Sequence, residues 1–369
     1  MDKIKRYIEM YIPVETCNLR CHYCYITVHK KYSEGVPQKL KYSPHHVRAA
    51  LSVERLGGVC LINMCALGET LLLPSITQYI KELLEEGHYI SLVTNGTISK
   101  RFDEIVQLPK ALLSHLFFKF SYHFLEFKEK HLFDMFFDNI RKVRDAGASF
   151  SLELTPSDEA IPFINEIKEV AVKNLGALPH ITIARDESKR IENLPKLTRL
   201  TDKEYYNTWE QFQSPLFSFK KEIFEQRRKE FCYAGDWSFW LHLGTGEMHQ
   251  CYMSYYSFNI FDDIKKPIKF YAVGCHCQEP HCFNGHSFLT LGVIPTMKTP
   301  MLAQMRNRVC VDGSEWLQPQ MKGFLSSKLV ESNCTYSLYR KIRTSFRIYY
   351  LLFKRKAKDI YFKYYHKFR

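Results

Sequence analysis

No stretch of this chain approaches the eighteen or more consecutive apolar residues of a membrane span. Its N-terminus, MDKIKRYIEMYIPVE, lacks the continuous apolar core of a secretory signal peptide. No internal repeat and no low-complexity linker is found. These absences argue against an integral membrane protein, an exported disulfide scaffold and a repeat array. Acidic residues are almost missing from one place: residues 336–369 carry eleven Lys and Arg against Asp359 alone. That segment accounts for +10 of the net charge of +13, so the basicity says little about the chemistry of the body.

Cysteine, by contrast, is plentiful, at twelve in 369 residues. Without an export signal, so many thiols fit metal binding in a reducing compartment, and the chain is expected to be cytoplasmic. Hydrophobic content of 46% and charge of 25% are those of an ordinary globular protein. The length suffices for one large domain or two modest ones.

Three cysteines, Cys17, Cys21 and Cys24, fall within the stretch VETCNLRCHYCYI. A tetrahedral zinc site wants a fourth ligand, usually through paired Cys-x2-Cys motifs. Three thiolates without a fourth suit a four-iron, four-sulfur cluster with one iron left open.

From residue 8 to about 185, short apolar runs alternate with amphipathic stretches. Strands are predicted at Ile8–Val14, Val59–Cys65, Tyr89–Asn95, His115–Tyr122, Ala148–Thr155 and His180–Ala184. Ser43-Pro44 reads as an N-cap and first helical residue. Pro74 opens a helix ending at Gly87, and EFKEKHLFDMFFDNIRKVRDAG reads as one helix ending at Gly147. Six such alternations imply parallel βα units, open or curled into a barrel, with ligands at the C-terminal strand ends. The cysteine triad follows the first strand, at that end.

Cys17-x3-Cys21-x2-Cys24, with Tyr23 before the last cysteine, resembles the signature of radical S-adenosylmethionine (radical SAM) enzymes. The resemblance implies a partial (β/α)6 TIM-like barrel and a [4Fe-4S] cluster whose open iron is chelated by SAM. Electron transfer into the sulfonium would then yield a 5′-deoxyadenosyl radical. Ala66-Leu67-Gly68-Glu69 resembles the family's Gly-Gly-Glu element, with Leu67 in place of the first glycine. The resemblance implies that Glu69 meets the methionine ammonium, and Gly68 still permits close backbone approach. Thr94-Asn95-Gly96 matches the family's third-strand ending, and Ser121 resembles a fourth-strand residue facing SAM. Read singly, Asn95-Gly96 is a turn, Ser121 a strand-end hydroxyl, and Glu69 a helix-start carboxylate.

Cys232 and Cys251, flanking a hairpin around Gly244–Gly246, resemble the start of the auxiliary-cluster region in SPASM and twitch-type members. Downstream lie Cys275, Cys277 and Cys282. The resemblance implies one auxiliary [4Fe-4S] cluster on Cys232, Cys251, Cys277 and Cys282, with Cys275 in reserve. Zinc is the rival, given the interspersed His276, His281 and His286. Cys60 and Cys65 read as buried small hydrophobes, and Cys310 as a ligand only if the fold returns there.

The tail places Leu338, Ile342, Phe346, Tyr349, Phe353, Ala357, Ile360, Tyr364 and Phe368 on one helical stripe opposite a Lys/Arg face. Such a helix suits an anionic membrane, nucleic acid, or a terminal helix packed on the body.

The expected order is a radical SAM core over 1–190, a helical bridge over 191–230 and a SPASM/twitch-like region over 231–290. A C-terminal extension over 291–335 and a basic tail over 336–369 follow. About sixteen residues precede the triad, so no N-terminal leader-peptide-binding domain is expected. The implied activity is SAM cleavage and hydrogen abstraction from a peptide or small-molecule substrate. SAM and an electron donor such as flavodoxin or ferredoxin are the implied partners. The alternative is a non-catalytic metal-binding adaptor that uses its tail to hold membrane or RNA.

Overall fold

A computed structural model describes residues 2–30, 35–186, 188, 195–252, 257–275, 277 and 279–365. His276 and Phe368 lie outside the described residues. The six predicted strands form, each within about two residues of its expected start: β1 (Arg6–Ile12), β2 (Cys60–Ala66), β3 (Tyr89–Thr94), β4 (Leu116–Ser121), β5 (Ser149–Leu154) and β6 (His180–Ile181). All pair in parallel in the order β6-β5-β4-β3-β2-β1. The sheet has two free ends in its strand order, so the barrel is partial.

The sheet does not stop at β1. Strand β7 (Ser238–His242) pairs in parallel with the other edge of β1, placing Trp240 opposite Glu9. Strands β8 (Glu247–His249) and β9 (Ser257–Asn259) then follow antiparallel. The expected hairpin around Gly244–Gly246 is therefore β7–β8, and the cysteine-rich region is built onto the barrel's own sheet.

Strand alternation sorts the core into two. On the outer face Ile8, Met10, Ile62, Ile90, Leu92, Phe118 and Leu152 pack under the helices. On the concave face Tyr7, Leu61, Tyr89 and Phe117 meet Leu289, Leu291, Met321 and Phe324 from the C-terminal segment. Tyr89 is stacked between His115 and Phe324, with ring centroids at 3.9 and 3.6 Å. The C-terminal segment thus fills the barrel floor, and the interior opens at the strands' C-terminal ends.

The helix starts at Ser43 as expected, its hydroxyl accepting from the His46 backbone N–H at 3.2 Å. Gly87 and Gly147 adopt positive φ beyond their helices. One reading needs correction. The stretch read as one helix over 126–147 is instead covered by two, Phe124–Glu129 and Phe133–Asp145, broken where His131 takes φ +54°. The apolar period runs across the break because Phe127 and Phe136 both face the core. The tail is one helix, Leu338–Tyr365.

Candidate active site

The cysteine loop is held to the neighbouring strand ends by backbone bonds. Gly68 N–H donates to the Val14 carbonyl at 2.8 Å, and Glu69 N–H to Thr16 at 3.0 Å. A Cβ on Gly68 would lie 1.8 Å from the Thr16 oxygen, so only glycine admits the loop here. Leu67, where the family has glycine, is 44% exposed at the rim, and its carbonyl accepts from the Tyr25 hydroxyl at 2.7 Å. The substitution therefore leaves the backbone path intact.

Glu69 is buried, and three protein donors already engage its carboxylate. They are Leu71 N–H at 2.9 Å, the Thr94 hydroxyl at 2.7 Å and Asn95 N–H at 2.7 Å. Burial raises its pKa against the pull of those bonds. The Asn95 amide donates to Asn18 Oδ1 at 2.8 Å and to the Cys17 sulfur at 3.7 Å. The Leu19 backbone N–H also donates to that sulfur, at 3.4 Å. Tyr23 and His123 share a hydrogen bond of 2.7 Å across the loop. Burial pushes His123 down to about 4, so the ring is neutral.

Cys17, Cys21, Cys24, Tyr23, Gly68, Glu69, Asn95 and Ser121 all line one cavity of about 400 Å³. Burial pushes the Cys17 thiol up to about 11 and raises Cys21 and Cys24 as well. Such thiols ionise only against strong local positive charge, as iron supplies. With three sulfurs from one loop, two N–H groups on Cys17 and a cavity beside them, the donor set fits a three-cysteine cluster.

Cys65 corrects the reading of Cys60 and Cys65 as two buried hydrophobes. Cys60 is buried, but Cys65, five residues on, points to the opposite face and lines the cavity. Its electrostatic neighbours are Glu9, Lys119, Glu69 and Glu153 rather than the triad.

Cys232, Cys251, Cys277 and Cys282 line a second, smaller cavity of about 50 Å³ with Phe288, Val293 and Ile294. Burial and the three other thiols together raise Cys232. Cys232 is placed by reciprocal backbone bonds with Gly274, at 3.0 and 2.9 Å. Cys275 does not line this cavity, and Cys310 lies elsewhere, its thiol donating to the Leu175 carbonyl at 3.2 Å. Among the described residues no three His, Cys, Asp or Glu side chains are grouped as for a single metal ion. Cys282 and His281 line both cavities, so the two sites adjoin. His286, grouped with the auxiliary histidines by sequence, instead lines the larger cavity.

The sequence reading missed the cavity's charged wall: Lys119, Glu153, Arg185, Lys220 and Glu225. Lys119 stands two residues before Ser121 on β4, so alternation already placed both on one face.

A parallel βα sheet with a cysteine loop at its C-terminal mouth places that loop where folds of this class bind ligands. Residues 11–155 match the radical SAM superfamily model. The chain therefore carries a radical SAM domain, a type that works with a [4Fe-4S] cluster and SAM. No curated protein matches the chain. Among solved structures it is similar to SuiB of Streptococcus suis, at 12% identity and TM-score 0.46 over 71% of this chain. The chain spans 64% of SuiB's length. It is also similar to anSMEcpe with bound AdoMet, at 14% identity and TM-score 0.46, over 95% of this chain and 98% of that one.

Proposed function

We propose that this chain is a radical SAM enzyme that abstracts hydrogen from a substrate held in the larger cavity and uses an auxiliary cluster beside it. The observation that carries this reading is that the triad and all five residues expected at SAM line one cavity. A cluster held by Cys17, Cys21 and Cys24, with SAM, supplies one-electron cleavage of the sulfonium and hydrogen abstraction from carbon. The chain's part is to bind, orient and exclude water. Asn95 and Leu19 direct N–H groups at the Cys17 sulfur, which favours its thiolate form. A carboxylate has about four acceptor sites. Three are taken on Glu69, leaving one for an ammonium.

Cys232, Cys251, Cys277 and Cys282 would hold the auxiliary cluster, within reach of the substrate through the shared wall at Cys282. That placement suits an electron acceptor and a net oxidation, with flavodoxin or ferredoxin supplying the first electron. Nothing favours a non-catalytic adaptor. Anaerobic reconstitution tests the reading. The brown protein should release 5′-deoxyadenosine from SAM under dithionite, and changing the three triad cysteines to Ala should remove about four irons and stop cleavage. Cleavage persisting in that variant overturns it.

A second reading concerns the tail. Leu338, Ile342, Phe346, Tyr349 and Phe353 are exposed, between 47% and 75%. Arg340 and Arg347 instead lie over the rings of Tyr336 and Tyr271, at 3.6 and 3.5 Å. An outward apolar stripe of this kind favours peripheral docking on an anionic membrane over a helix packed on the body. Among the described residues no helix is long and apolar enough to cross a membrane.

A further inference from the structure

One level below the triad, the concave face of the barrel carries a cluster of cations that the SAM site does not use. Lys119 projects from β4 and Glu153 from β5. Lys220 arrives from the helix Pro215–Ile223 and Arg306 from the helix Leu302–Arg306. The one carboxylate at the centre, Glu153, is already claimed. Its Oε2 accepts from Arg306 Nη1 at 2.6 Å, and Oε1 stands 3.7 Å from Lys119 Nζ.

Lys220 has no ion pair among the described residues, and its ammonium donates to the Thr182 hydroxyl. Burial, reinforced by Lys119, Arg185 and Arg306 and opposed by Glu153, pushes Lys220 down to about 7. The remaining groups do not cancel the surplus: Glu225, which also lines the cavity, lies near Lys196. His286 is held neutral by burial and by Lys220. Glu9, also near Lys119, accepts from the Tyr7 hydroxyl and from Asn63 Nδ2 at 2.8 Å, and burial raises its pKa. A buried ammonium that makes no direct ion pair is costly, and a cavity lined by such groups gathers anions.

We propose that Lys119 and Lys220 form an oxyanion subsite, so that the substrate is an acid, carrying a carboxylate or phosphate into the cavity. This rests on the cavity being the substrate chamber of a radical SAM enzyme. The subsite is distinct from the SAM end. Ser121 stands two residues further along β4, about 7 Å nearer the triad.

Equilibrium dialysis of the reconstituted full chain, with SAM present, tests it using radiolabelled succinate and inorganic phosphate as separate probes. One of the two should bind saturably at one site per chain, and which one does identifies the oxyanion. Lys119→Met and Lys220→Met should each weaken that binding at least tenfold, with SAM binding unchanged. Thr182→Val, which only frees the Lys220 ammonium, should weaken it about threefold. Failure of both probes to saturate, or full affinity in both lysine variants, overturns the subsite. Simultaneous loss of SAM binding in the lysine variants also overturns it, because the cations would then serve the carboxylate of SAM. A protein that binds the anion but cleaves no SAM would keep the subsite and overturn the enzymatic reading.

Discussion

Gly68 and Glu69 show how closely the cysteine loop is tied to the neighbouring strand ends. In Gly68→Ala the new Cβ meets the Thr16 carbonyl, so the loop must move or the backbone strain. Overpacking of this kind costs about 3 kcal/mol, and thermal melts and iron content should both fall. A Gly68→Ala protein with unaltered melting and full iron content would show that the loop has slack. In Glu69→Gln the amide nitrogen cannot accept from Thr94 or Asn95. Losing a charge-assisted bond of about 1.5–3 kcal/mol should weaken SAM binding roughly ten- to a hundredfold. Titration of SAM into the reconstituted variant decides this, and wild-type affinity would mean that Glu69 acts on the loop alone. Both residues were legible in the sequence through their resemblance to the family's Gly-Gly-Glu element at the end of the second strand. Lys119 and Glu153 were not, although their spacing put them on the concave face. A charge inside an apolar strand gains meaning only once neighbouring strands supply its partners.

At the scale of elements, the six barrel strands were legible because apolar runs bounded by helix signals need no tertiary information. The break at His131 was hidden, since two helices that bury the same face keep one period across the kink. Nor could the direction of the tail be read. A stripe and a charged face look alike whichever one meets the body, and here Arg340 and Arg347 lie over the rings of Tyr336 and Tyr271. The exposed rings therefore lead any membrane contact. Burying a Phe side chain is worth about 1.5–3 kcal/mol, so Phe346→Ser with Phe353→Ser should weaken binding to anionic vesicles at least tenfold. Binding should also fall between about 0.05 and 0.5 M salt. Cosedimentation with vesicles, set against RNA at equal ionic strength, measures both effects. Truncation for this purpose belongs after Ser337. Tyr336 is buried, and its hydroxyl bonds Asp236, so removing it would disturb the body.

For the molecule as a whole, the link between Arg306 and Glu153 joins the C-terminal segment to the barrel wall. Burial alone would raise the Glu153 pKa, but Lys119, Arg306 and Lys220 outweigh it and hold the carboxyl well below its usual range. Its folded pKa is depressed, so its contribution to stability is present above about pH 4.3 and is lost as pH falls through the folded value. Arg306→Met should cost about 3 kcal/mol near neutral pH, because Lys119 still faces the carboxylate. The gap from wild type should narrow as the pH falls toward the depressed folded pKa of Glu153. Denaturant melts across that range test both parts, and a gap independent of pH would mean that Arg306 acts by packing alone.

The pairing of β1 with β7 has a consequence for how the chain is made. β1 ends at Ile12, while its second neighbour begins at Ser238. On the ribosome, at about 5–20 residues per second, the strand leading into the cysteine loop waits roughly 10–45 s for that partner. During that interval one edge of β1 is open to pairing with other chains. A fragment ending at residue 230 should accordingly accumulate as aggregate while the full chain stays in solution. Slowing translation before Ser238 should lower the soluble yield of the full chain, with its sequence unchanged.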